Sequence, residues 1–152
     1  MTPSKTPELG TAEHLEVRRH LEKILASSEF CNAPRGRQFL RFVVEETLAG
    51  RASDITEPAV AARVFNLSGK FDRRKNSIVR AEATHVRRRI CQYYLGAGAS
   101  DSVIVDLPRG GYTPHIRTVP SGGSQPQDAD ARRGKFAAWV SWFRWGKRTP
   151  QE

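Results

Sequence analysis

Apolar positions recur at helical spacing in four stretches of the chain, each bounded by residues that start or stop helices. In the first, Val17, Leu21, Ile24 and Leu25 fall at i, i+4, i+7 and i+8, one stripe of a helix over about 12–27 with Thr11 as its cap. Ser27 and Ser28, then Asn32, Ala33 and Pro34, break the pattern; Asn32 is the expected N-cap of a second helix with Pro34 in its first turn. That helix, 35–49, turns Phe39, Leu40, Val43, Val44 and Leu48 inward and Arg41, Glu45 and Glu46 outward, and Gly50 ends it. Thr56 caps a short third helix at 57–65, with Ala59, Val60, Val64 and Phe65 as its packing side. The polar run 66–76, with Gly69, reads as a turn. A fourth helix runs from Ser77 to about residue 94 with Val79, Ala83, Val86 and Ile90 facing the core, and it stops at Gly96-Ala97-Gly98.

After the fourth helix the period changes from helical to alternating. Val103, Val105 and Leu107 alternate with Ile104 and Asp106, Pro108-Arg109-Gly110-Gly111 has turn chemistry, and 112–117 is the returning strand, so 102–117 reads as a β-hairpin. The pattern predicts a mainly α fold with a small β-hairpin. Its organisation is a disordered lead at 1–10, a domain at 11–118, a flexible linker at 119–134 rich in Gly, Ser, Gln, Pro and Asp, and a Trp-rich basic tail at 135–152.

Charge sharpens this picture because it is unevenly placed. The net charge is +9, yet residues 1–69 carry nine basic and nine acidic residues and cancel. Residues 70–90 carry +6, 91–131 carry −2 and 132–148 carry +6. Solubility alone calls for both signs mixed over the surface, whereas a concentrated block is a footprint for a polyanion.

The 70–90 block spans the turn after the short third helix and the fourth helix itself. In a helix-turn-helix the second helix enters the DNA major groove. With Val79, Ala83, Val86 and Ile90 inward, a 100° step per residue puts Ser77, Ala81, Thr84, His85, Arg88 and Gln92 on the opposite face, flanked by Arg80 and Arg87. Arg73, Arg74, Lys75 and Arg87 are the expected phosphate contacts; Ser77, Arg80, Thr84 and Arg88 the expected major-groove residues; Arg109 in the hairpin turn is expected to probe the minor groove or backbone beside it. The plain alternative for Arg87-Arg88-Arg89 is a solvated helix face. Its position on the second helix of this pattern, followed by a hairpin, favours DNA; Arg89 itself reads as solvated. His85 reads equally as a DNA contact or an exposed spectator, and Tyr112 is expected to pack under the hairpin.

The runs SIVRAEATHVRRRI (77–90) and IVDLPRGGY (104–112) resemble the C-terminal effector domain of OmpR/PhoB-type transcriptional regulators, in which an Arg-rich recognition helix leads into a wing ending in a Gly-Tyr pair, here Gly111-Tyr112. The helix at 35–49 is similar to that family's first core helix and 57–65 to its positioning helix. The runs FLRFVVEETLAG (39–50) and FDRR (71–74) are similar to modules of bacterial multidomain regulators. The resemblance covers about 34–117 and implies a winged helix-turn-helix with an extra N-terminal helix. It implies sequence-specific duplex DNA binding and transcription regulation, with no catalysis. A helix replaces the family's N-terminal four-stranded sheet, and 152 residues leave no room for a receiver domain, so phosphorylation-driven activation is not expected.

The remaining chemistry is sparse. Cys31 and Cys91 form no CxxC, His14, His20 and His115 lack metal spacing, and Glu45 and Glu46 diverge around a helix. No catalytic constellation, Walker A loop, metal or cofactor is expected. The N-terminus has no signal-peptide run, so a cytoplasmic location is expected. In the tail, Phe136, Trp139, Val140 and Phe143 fall on one helix face beside Arg144 and Lys147. That face suits a membrane interface, a protein groove or a fold-back onto the domain. Two further readings therefore stand beside DNA binding: a protein-interaction module, with RNA polymerase or another protein as partner, and a membrane-associated signalling adaptor.

Overall fold

The structure is a computed structural model that describes residues 10–118, apart from 68, 70, 71, 73, 75 and 76. The chain divides into two units, Met1–Val119 and Pro120–Glu152; residues 1–9 of the expected lead at 1–10, the linker and the tail lie outside the described residues.

Among the described residues, four helices and one hairpin follow in order: α1 (Thr11–Leu25), α2 (Pro34–Leu48), a 3-10 turn (Ala52–Asp54), α3 (Glu57–Phe65), α4 (Ile78–Leu95), β1 (Val103–Asp106) and β2 (His115–Thr118). The fold is thus mainly helical with a small antiparallel hairpin. Among the described residues, no helix is long and apolar enough to cross a membrane.

Each helix forms where its apolar stripe meets adequate caps. In α1 the cap is Gly10 rather than Thr11, because the Glu13 carboxylate reaches back to accept from the Gly10 N–H at 2.8 Å. Ala33, not Asn32, precedes α2: a turn closed by Phe30 N–H to the Ser27 carbonyl and Cys31 N–H to the same oxygen buries Phe30 and Ala33 and leaves Asn32 exposed. Pro34 opens α2, where no intrahelical partner for its nitrogen is needed. Gly50, at φ +75°, ends α2 in a Schellman motif, with Gly50 N–H on the Thr47 carbonyl and Arg51 N–H on the Glu46 carbonyl.

The core joins all four helices to the hairpin. Val17, Leu21 and Ile24 of α1, Phe39, Leu40, Val43 and Val44 of α2, and Val79, Ala83, Val86 and Ile90 of α4 are buried, as their spacing predicts. In α3 the buried stripe is Glu57, Val60, Ala61 and Val64; the expected Ala59 and Phe65 are only half-buried. The α3 stripe starts at the first residue of the helix, so a carboxylate occupies its first position. Phe65 instead lies under the Arg35 guanidinium, 5.8 Å from the ring centroid.

In the hairpin, Val103 pairs with Thr118 and Asp106 with His115, so the connection is the loop 107–114 rather than a tight turn at 108–111, and the return strand starts at 115 rather than 112. The loop is fixed by side chains in place of ladder bonds. Leu107 and Pro114 are buried, Tyr112 meets Phe39 edge-on at 6.2 Å, and the Thr113 hydroxyl donates to the Ala52 carbonyl at 3.4 Å. Tyr112 therefore packs under the hairpin, as its position predicts.

β1 lies against α1 and α4, and its side away from β2 is closed by one side chain. The Tyr94 hydroxyl accepts from the Val105 N–H at 2.8 Å and lies 3.2 Å from the Val103 carbonyl and 3.0 Å from His20 Nε2. In an antiparallel ladder alternate residues turn both backbone groups away from the partner strand, and here a phenol meets the Val105 N–H and the Val103 carbonyl.

Candidate nucleic-acid interface

The candidate surface is built on α3, the turn after it, α4 and the hairpin loop. Thr56 holds the start of α3 by accepting from the Ala59 N–H at 3.3 Å. At the other end Asn66 adopts a left-handed φ of 57° and the Leu67 N–H bonds the Ala61 carbonyl, which ends the helix. In the following turn the Arg74 N–H donates to Asp72 Oδ1 at 2.9 Å, a local Asx closure that leaves Arg74 exposed. Of the expected phosphate contacts, Arg73 and Lys75 lie outside the described residues.

Seen down α4, Ser77, Ala81, Thr84, His85, Arg88 and Gln92 are all exposed, opposite the buried Val79, Ala83, Val86 and Ile90. The sequence-derived face therefore stands uncovered by the other described residues. The Thr84 hydroxyl donates back to the Arg80 carbonyl at 3.0 Å, so outward it offers a methyl group and an acceptor oxygen.

The flanks of α4 are where the structure departs from expectation. Arg80, expected in the major groove, has Nε 3.5 Å from Glu57 Oε1, and its half-exposed side chain leans on a carboxylate that is 6% exposed. The pair ties the first turn of α4 to the first turn of α3. Arg87, expected on phosphate, is turned inward: Nε donates to the Leu107 carbonyl at 3.0 Å, and Nη2 to the carbonyls of Pro108 at 3.2 Å and Gly111 at 3.0 Å. Burial pulls its guanidinium below the ordinary arginine range and the Arg109 charge lowers it further, while Tyr112 and Asp106 offset part of that cost. Arg87, expected as a phosphate contact, is thus placed by these bonds as a clamp on the loop. Arg89, expected to be solvated, donates from Nη1 to the Glu29 carbonyl at 2.6 Å and holds the α1–α2 connection. Arg109 stands exposed at the loop tip beside Gly110, whose φ of +89° suits glycine.

The exposed face thus brings together Ser77, Thr84 and Arg88, with Arg74 before it and Arg109 beside it. It does not bring Arg87. Sequence reasoning missed Glu57 as the Arg80 partner, although a glutamate at the head of an apolar i, i+3, i+4, i+7 stripe was a usable signal. Arg35 and Arg37 stand exposed at the start of α2 on either side of Gly36, which abuts Glu82 and Val86 of α4.

A separate polar cluster lies where α1, the end of α4 and β1 meet. His20 is 8% exposed, stacks on Tyr94, and has Nδ1 3.8 Å from Asp101 Oδ2. The Tyr93 hydroxyl donates to Asp101 Oδ2 at 2.6 Å and the Lys23 ammonium pairs with Oδ1. Burial lowers the His20 pKa, with Asp101 opposing. Burial also works against charge on Asp101, but hydrogen bonds from Lys23 and Tyr93 prevail and hold its carboxyl below the usual range. Among the described residues, no group of three or more His, Cys, Asp or Glu side chains is placed to hold a metal ion.

No family profile, curated protein or solved structure matches this chain.

Proposed function

We propose that the domain is a winged helix-turn-helix that binds duplex DNA in the cytoplasm as a transcriptional regulator, without enzymatic activity. In this reading α3 positions α4, α4 enters the major groove, and the hairpin is the wing. Ser77, Thr84 and Arg88 face base edges, Arg74 meets phosphate at the start of α4, and Arg109 approaches the duplex beside it. One observation carries the reading: the face of α4 opposite its buried seam is exposed from Ser77 to Gln92 and combines small, hydroxylic and cationic side chains. Such a face can approach a groove closely and meet both phosphates and base edges.

Binding of a random-sequence duplex pool, followed by anisotropy, tests it. Affinity is expected to fall steeply between low and moderate salt, as counterion release requires. On a site selected from that pool, Arg88→Ala is expected to cost about 1–3 kcal/mol and to relax the choice at one base pair. A protein that ignores duplex DNA at low ionic strength is not a DNA-binding domain, and selected-site binding unchanged by Arg88→Ala removes that residue from the contact face.

A further inference from the structure

Arg87 and Arg88 are adjacent arginines with opposite fates. The Arg88 side chain is exposed, while Nε and Nη2 of the half-buried Arg87 donate to the carbonyls of Leu107, Pro108 and Gly111. Those three oxygens bracket Arg109. The other side of the loop is anchored to α2 by the Tyr112–Phe39 ring contact and to the 3-10 turn by Thr113 on Ala52. What remains exposed between these anchors is Arg109 with Gly110.

A guanidinium with several donors in a fixed plane can hold a loop in one orientation, which a single ammonium cannot. Every carbonyl it holds is 20–24 residues further along the chain, so the bonds tie the wing to the recognition helix. We infer that Arg87 is a positioning residue, resting on the DNA-binding reading: it contacts no phosphate itself and instead fixes Arg109 relative to the α4 face, so that helix and wing engage the duplex as one rigid unit.

The test is a double-mutant cycle on the full chain. It reads the slope of log affinity against log salt with a fluorescent random-sequence duplex pool, and each phosphate contact contributes about 0.9 to that slope. Arg109→Ala is expected to lower the slope by about one contact in the parent protein. Arg87→Met is expected to lower it by the same amount, and Arg109→Ala added to Arg87→Met to change nothing further. Arg87→Lys keeps the charge, but its three donors radiate from one nitrogen and cannot reproduce the planar spacing of Nε and Nη2 that reaches three carbonyls, so it should behave as Arg87→Met does. Amide exchange in both Arg87 variants should accelerate across 107–113 and stay unchanged along α4. A thermal melt confirms folding, and Arg87→Lys carries the test if Arg87→Met does not fold.

If the losses from Arg87→Met and Arg109→Ala add, or if lysine restores the parent slope, Arg87 touches phosphate directly and the inference fails. A parent slope insensitive to Arg109→Ala overturns it too. A parent protein that does not bind the pool at all fails the DNA-binding reading instead, a result distinct from either.

Discussion

A methyl group placed on Gly98 would stand 2.2 Å from Tyr93 Cε1, far inside van der Waals contact. The ring cannot retreat freely, because its hydroxyl is bonded to Asp101 and its neighbour Tyr94 meets it edge-on at 5.1 Å. Gly98→Ala is therefore expected to destabilise the domain by about 1–3 kcal/mol through overpacking. Urea unfolding measures this, and an unchanged midpoint would show that the ring rotates aside without cost. From the sequence Gly98 reads only as a helix terminator; the reason for it is a ring that approaches from within the preceding turn. The arginine triplet makes the same point. Arg88 was legible because its direction follows from the seam of its own helix. Arg87 was not, because it sits at the edge of that seam and its acceptors are carbonyls whose position depends on the loop.

Among the elements, the four helices were legible to within a residue or two. Their stripes coincide with the buried faces of α1, α2 and α4, and Thr56 and Gly50 cap as their chemistry suggests. The hairpin was legible as an element but not in its register. A Pro-Arg-Gly-Gly run fits a tight turn, yet the connection is held by Arg87 of α4 on the Leu107, Pro108 and Gly111 carbonyls, by Tyr112 on α2 and by Thr113 on the 3-10 turn, which local sequence does not encode. The edge closure of β1 belongs to this scale as well. Tyr94→Phe removes the acceptor of the Val105 N–H and the partner of His20, and leaving a buried amide unsatisfied costs about 1–3 kcal/mol. The loss should appear in urea unfolding and in faster exchange of the Val105 amide. Unaltered exchange there would mean that the phenol is not what protects the strand.

For the molecule as a whole, His20 links stability to pH. Its folded pKa lies below the ordinary 6.5, so the unfolded chain binds a proton first as pH falls. The unfolded state then holds more protons, and stability rises with pH over this window. The contribution is complete above 6.5 and is lost as pH drops from there through the lowered folded value. Chemical unfolding at pH 7.5 and pH 5.5 should show the decline, and His20→Gln should flatten it. An equal decline in His20→Gln would assign it to other groups.

The phenol of Tyr94 also bears on how this protein behaves in a concentrated solution. A two-stranded ribbon offers its outer backbone groups as a template for further chains, the first step of amyloid-type growth. On the β1 side those groups are already occupied, and reaching them requires α4 and His20 to withdraw. Resistance to fibril formation from that side thus rests on this hydroxyl together with the helices that cover the strand, and colonies expressing Tyr94→Phe would be the place to look for insoluble material.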